Sequence, residues 1–242
     1  MEEPLKIAVC EDSCQDKERL LSILQSASIA NIPTVFDSGE ALLQQYRPFE
    51  YDLLLTDIYM AGITGVETVR RIREIDMEIP IAFVTSSPDH ALEGYRLSVL
   101  MYIEKPYTPK DIENALALAR MNRDSSPALL LSKGGKKQRI PFSQILYLEQ
   151  QTHHVRIVKR TGQEITACEK LSALLPQLED QDFYSPHKSY CVNMDQVRAI
   201  DTEFRCFRMA DNSNVPIRRE SMHEARKMLE QHLFQAARGK DA

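Results

Sequence analysis

Two rhythms of apolar and polar residues divide the chain. In the first, apolar runs of strand length alternate with stretches whose apolar residues recur every three or four positions. Leu5-Lys6-Ile7-Ala8-Val9-Cys10, Ile32–Phe36, Tyr51–Thr56, Ile79–Val84 and Val99–Ile103 predict five strands. The third is nearly all apolar, as a strand buried on both faces would be. Between them, Glu18–Leu24, Gly39–Gln45 and Val66–Ile75 predict helices, the last with Val66, Val69, Ile72 and Ile75 spaced by three. Thr108 can cap a closing helix through about Asn122, with Pro109 at its first position and Asp111 in its first turn. Repeated β-α units imply a doubly wound α/β domain, a five-stranded parallel sheet with helices on both faces.

The second rhythm begins after Arg123-Asp124-Ser125-Ser126-Pro127, a polar connector containing proline. Short β-rich runs follow: Ala128–Ser132, Ile145–Glu149, His154–Lys159, Glu164–Ala167, Tyr190–Asn193, Val197–Asp201, Phe204–Met209 and Asn214–Ile217. Turn signals at Gly134-Gly135, Thr161-Gly162 and Asp211-Asn212 separate them. Helices are expected over Cys168–Leu178 and Ser221–Leu233. The organisation is therefore a first domain over 1–122, a linker over 123–127, and a mainly β domain with a C-terminal helix over 128–242.

A length of 242 residues suits two ordinary domains. No apolar run approaches the ~18–20 residues that span a bilayer, and the acidic start Met1-Glu2-Glu3 does not resemble a secretory signal. A cytoplasmic protein without a membrane role is expected. Cys10, Cys14, Cys168, Cys191 and Cys206 form neither CxxC pairs nor a dense framework, so they read as reduced thiols. The net charge of −5 hides an asymmetry. The first 122 residues carry 11 Lys+Arg against 20 Asp+Glu, and the remainder 19 against 15. An acidic half joined to a basic half suggests two jobs, and the basic half permits nucleic-acid binding.

In a parallel sheet, chemistry sits at the carboxyl ends of the strands. Glu11 and Asp12 end the first strand, Asp57 the third and Thr85 the fourth, and Lys105 follows the fifth. Three carboxylates in one pocket repel unless a cation binds, and hard oxygen ligands suit Mg²⁺. A carboxylate beside Mg²⁺ can attack a phosphoryl group and form an acyl phosphate. Lys105 would neutralise one phosphoryl oxygen and Thr85 would hydrogen-bond another. Single acids after strands are commonly turn formers or helix caps; five groups at matching strand ends, in order, are not.

These residues resemble the receiver domain of two-component response regulators. Ala8-Val9-Cys10-Glu11-Asp12, Leu53–Met60, Gly65, Phe83-Val84-Thr85-Ser86 and Tyr102-Ile103-Glu104-Lys105-Pro106 carry the resemblance, over about Leu5–Asn122. It implies a flavodoxin-like fold in which Asp57 is phosphorylated by a sensor histidine kinase. Glu11, Asp12 and Asp57 would bind Mg²⁺, Thr85 and Lys105 contact the phosphoryl group, and Tyr102 act as the aromatic switch. The Lys105–Pro106 bond is often cis in this family. Ala61 stands where a proline usually follows Met60, and Glu11 replaces a second aspartate.

The second half offers three cationic patches: His153-His154 with Arg156, His187-Lys188-Ser189, and Arg218-Arg219. Each is expected at a strand end or in a loop, where ligand contacts tend to lie. Lys133, Lys136, Lys137 and Arg139 read as a solvated hairpin tip. Ile140–Glu149, Phe183-Tyr184, His187-Lys188-Ser189-Tyr190-Cys191-Val192-Asn193 and Val215-Pro216-Ile217-Arg218-Arg219 resemble the LytTR DNA-binding domain, over about Ala128–Leu233. That family inserts loops into successive major grooves of duplex DNA. The resemblance implies contacts from the His153-His154 loop, Lys188 and Arg218, with Arg156 and Arg219 beside them. Ile217 stands where a serine often precedes the arginine. The reading is a transcriptional regulator in which phosphorylation at Asp57 drives homodimerisation through the face of the fourth helix and fifth strand, and so DNA binding. Two rivals compete with it: a receiver with a protein-binding output, and a Mg²⁺-dependent phosphohydrolase. The latter would need an acid/base aspartate where Tyr59 stands.

Overall fold

A computed structural model of the chain describes residues 3–86, 97–133, 136–179 and 181–238. The chain divides into two compact units, Met1–Ser126 and Pro127–Ala242. In the first, β1 (Leu5–Cys10), β2 (Asn31–Phe36), β3 (Leu53–Thr56), β4 (Ile81–Thr85) and β5 (Met101–Glu104) form one parallel sheet in the order β2-β1-β3-β4-β5. Among the described residues its helices are α1 (Cys14–Ser26), α2 (Gly39–Gln45), α3 (Gly65–Arg73) and α4 (Pro109–Ser125).

Every residue of β3 and β4 is buried, as apolar runs covered on both faces require. Leu5, Ile7, Val9, Leu53 and Leu55 pack on one side against Leu20 and Leu24 of α1 and Ile112, Ala115 and Leu116 of α4. Ala8, Cys10, Leu54, Ile81 and Phe83 face Leu42 of α2 and Val66, Val69 and Ile72 of α3 on the other. The alternation of strand residues between these two clusters follows from the period of two in a β-strand.

Several local expectations need correction. Helix α4 runs to Ser125, so Arg123, Asp124 and Ser125 are its last turn and not a linker; the helix stops at Ser126, immediately before Pro127. Helix α3 ends at Arg73, and Ile75 beyond it is 50% exposed, not a core position. The fourth helix of the expected repeat would fall on residues 87–96, outside the described residues.

The second unit is mainly β. An antiparallel five-stranded sheet has the order β10-β9-β8-β12-β11, from β8 (Ile145–Gln150), β9 (Val155–Lys159), β10 (Glu164–Ala167), β11 (Phe183–His187) and β12 (Tyr190–Asn193). One face packs against the hairpin β6 (Ala128–Lys133)–β7 (Lys136–Pro141) and the short helix α5 (Leu171–Leu174), with Leu129, Leu131, Ile140, Leu148, Ile157 and Leu174 in one cluster. The other face meets the small sheet β13 (Val197–Asp201), β14 (Cys206–Met209), β15 (Asn214–Pro216) and the terminal helix α6 (Met222–Arg238), through Leu146, Val158, Val192, Phe207, Val215 and Leu229. His232 fixes α6 from its middle, with Nε2 3.0 Å from Asp195 and Nδ1 3.5 Å from Asp182.

The helix expected over Cys168–Leu178 is only α5 followed by a 3₁₀ turn, Leu175–Gln177. Pro176 accounts for this, since its ring and missing N–H break an α-helix. Strand β11 falls outside the predicted elements. Gly134-Gly135, expected to form a turn, lie outside the described residues, as do the side chains of Lys133, Lys136 and Lys137.

Candidate functional site

The carboxyl edge of the first sheet gathers the acids. The end of β1 carries Glu11, 2% exposed, and the end of β3 carries Asp57, 7% exposed. Lys105, just beyond β5, reaches between them. Its Nζ donates to Glu11 Oε2 at 2.8 Å, Asp57 Oδ2 at 2.7 Å and Asp16 Oδ2 at 2.7 Å. The Lys105–Pro106 peptide bond is cis.

Three local devices set this geometry. Ser13 caps α1, its hydroxyl accepting from Asp16 N, and Ser13 N donates to Glu11 Oε1. The second device is the loop after Asp57, which is bound at both sides. Tyr59 N donates to Asp57 Oδ1, and Ala61 N donates to Asp12 Oδ2. The third is Gly65, which opens α3 and whose N–H donates to Ile58 O.

Burial is the largest influence on both ends of the cluster. It pushes the Glu11 carboxyl above its usual range, and the hydrogen bond and charge of Lys105 offset this only in part. Burial opposes the charge on Lys105 as well, but the hydrogen bonds it donates to Asp16, Asp57 and Glu11 outweigh this and raise the ammonium above its ordinary value. The lysine is therefore a fixed cation at neutral pH.

The donor set fits a hard divalent cation. Glu11, Asp12 and Asp57 supply only oxygen, and two of the three are withdrawn from water; among the described residues the Lys105 ammonium is the cation bound to these two. The residues do not share one point: Glu11 and Asp57 meet at Lys105, while Asp12 is turned to Ala61 N. Thr85 is buried at the end of β4. Tyr102, on β5, is partly buried with its ring centroid 5.4 Å from that of Phe83. Asp16 was not among the residues expected here. A lone acid in the first turn of a helix reads as a complement to the helix dipole, and no strand-end position marks it.

In the second unit the predicted patches come together at one end of the five-stranded sheet. His153 and His154 lie in the β8–β9 turn, and Lys188 in the two-residue β11–β12 turn. Gln150 N donates to Ser189 O at 2.7 Å, joining these turns. Arg218 follows β15, and its N–H donates to Pro186 O of β11 at 3.1 Å. Lys188, His153 and Arg219 are exposed and Arg218 is half-buried. Ser221 O accepts from Ala225 N, so the two arginines lie in the turn before α6 and not within it.

Arg156 differs from its neighbours. Its guanidinium donates to Glu149 at 2.7 Å and to Glu164 at 2.7 Å, across strands β8, β9 and β10. Tyr190 O–H also donates to Glu149, at 2.6 Å. Burial would raise the Glu149 carboxyl, but the bonds from Tyr190 and Arg156 hold it below its usual range. His154 is likewise committed, with Nε2 2.6 Å from Gln151 Oε1.

A parallel sheet of order 2-1-3-4-5 with acids and a lysine at its carboxyl edge defines a receiver-type domain, here joined to a mainly β partner. Comparison with known families agrees on both parts. A model described as the response regulator receiver domain matches residues 7–117, and one described as the LytTr DNA-binding domain matches residues 135–230. The chain belongs to the response regulators that carry a LytTR DNA-binding domain.

Among curated proteins it is similar to the sensory transduction protein LytT of Oceanobacillus iheyensis, 25% identical over 209 residues, covering 83% of this chain and 85% of that one. It is also similar to the transcriptional regulatory protein YpdB of Escherichia coli (strain K12), 24% identical over 243 residues, covering 93% and 99%. The solved response regulatory domain of protein mrkE from Klebsiella pneumoniae is 25% identical, with a TM-score of 0.44, and covers 50% of this chain and 100% of that one. No helix among the described residues is long and apolar enough to cross a membrane.

Proposed function

We propose that Asp57 is the phosphoacceptor of a two-component system, and that its phosphorylation controls binding of duplex DNA by the second unit and hence transcription. The observation that carries this reading is the convergence of Asp57, Glu11 and Lys105 at the ends of three parallel strands, with Nζ 2.7–2.8 Å from both carboxylates. Glu11, Asp12 and Asp57 would hold Mg²⁺, which when bound screens the negative charge of an incoming phosphoryl donor. Lys105 and Thr85 contact the phosphoryl oxygens. Tyr102, beside Phe83 on the same edge, carries the change to the surface. Homodimerisation follows through the face that includes β5, and two modest DNA modules gain avidity when joined. A cytoplasmic location suits a partner kinase and DNA.

The end of the second sheet that carries His153, His154, Lys188, Arg218 and Arg219 is the DNA-contacting surface in this reading. Arg156 supports it structurally, since its guanidinium is bound by two carboxylates. Turnover chemistry is disfavoured by Tyr59, which offers no carboxyl for acid/base work two residues after Asp57. A protein-binding output remains the rival for the second unit, and the steep salt dependence of DNA binding separates the two.

The test is to treat wild type and Asp57→Asn with a small acyl phosphate and Mg²⁺, measure intact mass, and titrate both onto the DNA upstream of the protein's own gene. Wild type should gain one acid-labile phosphate and bind more tightly. Phosphate gain by Asp57→Asn at the wild-type rate would overturn the assignment.

A further inference from the structure

The Lys105 ammonium has three protons and no fourth donor. Each proton has a carboxylate: Glu11, Asp16 and Asp57. These acceptors are held unequally. The Glu11 side chain is 3% exposed and also accepts from Ser13 N; that of Asp57 is 9% exposed and also accepts from Tyr59 N. Asp16 is 34% exposed. Its remaining bonds belong to its main chain, which donates from N to Ser13 Oγ and accepts at O from the Tyr107 hydroxyl.

We propose that Asp16 is a positioning residue that holds one proton of Lys105 while Asp57 is a free carboxylate and releases it when Asp57 gains a phosphoryl group. This rests on Asp57 being the phosphoacceptor. In loading from an acyl phosphate, an Asp57 carboxylate oxygen forms a bond to phosphorus as the bond from phosphorus to the donor carboxylate breaks. The donor carboxylate leaves with the electron pair, and no proton is transferred. The phosphoryl group puts nearly two negative charges where the Asp57 carboxylate carried one, so its oxygens call for more than the single Lys105 proton that Asp57 already holds. Of its three partners, Asp16 is the least costly to give up, because water can reach its carboxylate. Asp16 therefore restrains loading, through Lys105.

The helix position is not what matters, since the Asp16 main chain is fixed independently of its carboxylate. Replacement by asparagine keeps the shape and the Ser13 cap but removes the charge. Breaking a partly exposed ion pair corresponds to about a two- to fivefold change in rate.

The full chain should be compared as wild type, Asp16→Asn, Asp16→Glu and Asp37→Asn, following phosphate gain from acetyl phosphate with Mg²⁺ by intact mass. Asp37 lies next to Phe36, whose carbonyl accepts from Glu11 N, but it pairs with Lys17 and not with Lys105. It reports the effect of removing nearby charge alone. Asp16→Asn should load about two- to fivefold faster, Asp16→Glu should return toward wild type, and Asp37→Asn should change little. In metal-free protein, the Lys105 ammonium protons should exchange with solvent faster in Asp16→Asn, read by NMR without any phosphoryl chemistry. Equal acceleration by Asp37→Asn, or unchanged ammonium exchange in Asp16→Asn, overturns the proposal. If Asp57→Asn loads as wild type does, the phosphoacceptor assignment itself fails, which is a separate outcome.

Discussion

Gly65 lies so close to Asp57 that a Cβ added to it would stand 1.9 Å from the Asp57 carbonyl oxygen and 2.9 Å from the carbonyl carbon. The obstacle is backbone, so no side-chain rotation relieves it. Gly65→Ala should force β3 and α3 apart, costing about 1–3 kcal/mol as an overpacked site does. Chemical denaturation should show the loss in the unfolding of Met1–Ser126, with the second unit unchanged. An alanine variant of wild-type stability would mean that the turn before α3 yields freely.

Lys105→Ala should make the first unit dependent on divalent cation. Glu11 and Asp57 are buried, and without the ammonium they face each other uncompensated. The metal-free variant should lose about 2–4 kcal/mol, somewhat less than a fully buried pair would lose because Asp16 is partly exposed. Added Mg²⁺ should raise its melting temperature by more than it raises that of wild type. Equal Mg²⁺ shifts in differential scanning calorimetry would count against charge crowding at this edge.

The cysteines should separate by environment. Burial pushes the Cys10 thiol up to about 12 and Cys191 up to about 11, whereas Cys14 and Cys168 are exposed. Iodoacetamide at pH 8 should label Cys14 and Cys168 and spare Cys10, Cys191 and Cys206 until the protein is denatured, as read by peptide mass mapping. A raised thiol favours folding while it stays protonated in both states. The contribution of Cys10 is thus present below about pH 9 and lost as pH rises through about 12. The stability of the first unit should fall across that window, and less so in Cys10→Ala.

On duplex DNA the arginines should behave differently from one another. Arg218→Ala should lose preference for operator over scrambled sequence, since a good arginine–guanine pair gives about 1–3 kcal/mol of discrimination. Lys188→Ala should weaken binding to both sequences and lower the salt slope by about one if it meets phosphate. Arg156→Ala should leave the salt slope unchanged and destabilise the second unit instead, because its charge is already matched by Glu149 and Glu164. Mobility-shift titrations at two salt concentrations distinguish these cases. Unchanged operator affinity for Arg218→Ala and Lys188→Ala together would favour a protein partner.

The receiver strands were legible because β1, β3 and β4 are apolar over nearly their whole length, and their ends then locate Glu11, Asp57 and Thr85. What escaped is equally specific. Strand β11 contains Ser185-Pro186, which reads as a break; it forms because β11 is the edge of its sheet, where a missing N–H costs no ladder bond. The last turn of α4 is all polar and so looked like linker, although a helix on the surface needs no apolar residue in its final turn. Asp16 reaches Lys105 across 89 residues, a contact that no local spacing can report. The separation of Arg156 from the other cations depends on its strand register opposite Glu149, which pairing alone decides.

Arg73 shows how a positive charge can serve as mortar. Its buried guanidinium donates to the carbonyls of Asp76, Ile79, Leu97 and Ser98 at 2.9–3.2 Å. One side chain at the end of α3 thus clasps both the approach to β4 and the approach to β5, two stretches far apart along the chain. The fork of a guanidinium can address several directions at once, whereas the compact ammonium of a lysine cannot. The strand that carries Tyr102 toward Lys105 is therefore registered from its amino end, so the placement of Lys105 is owed in part to an arginine at the end of α3.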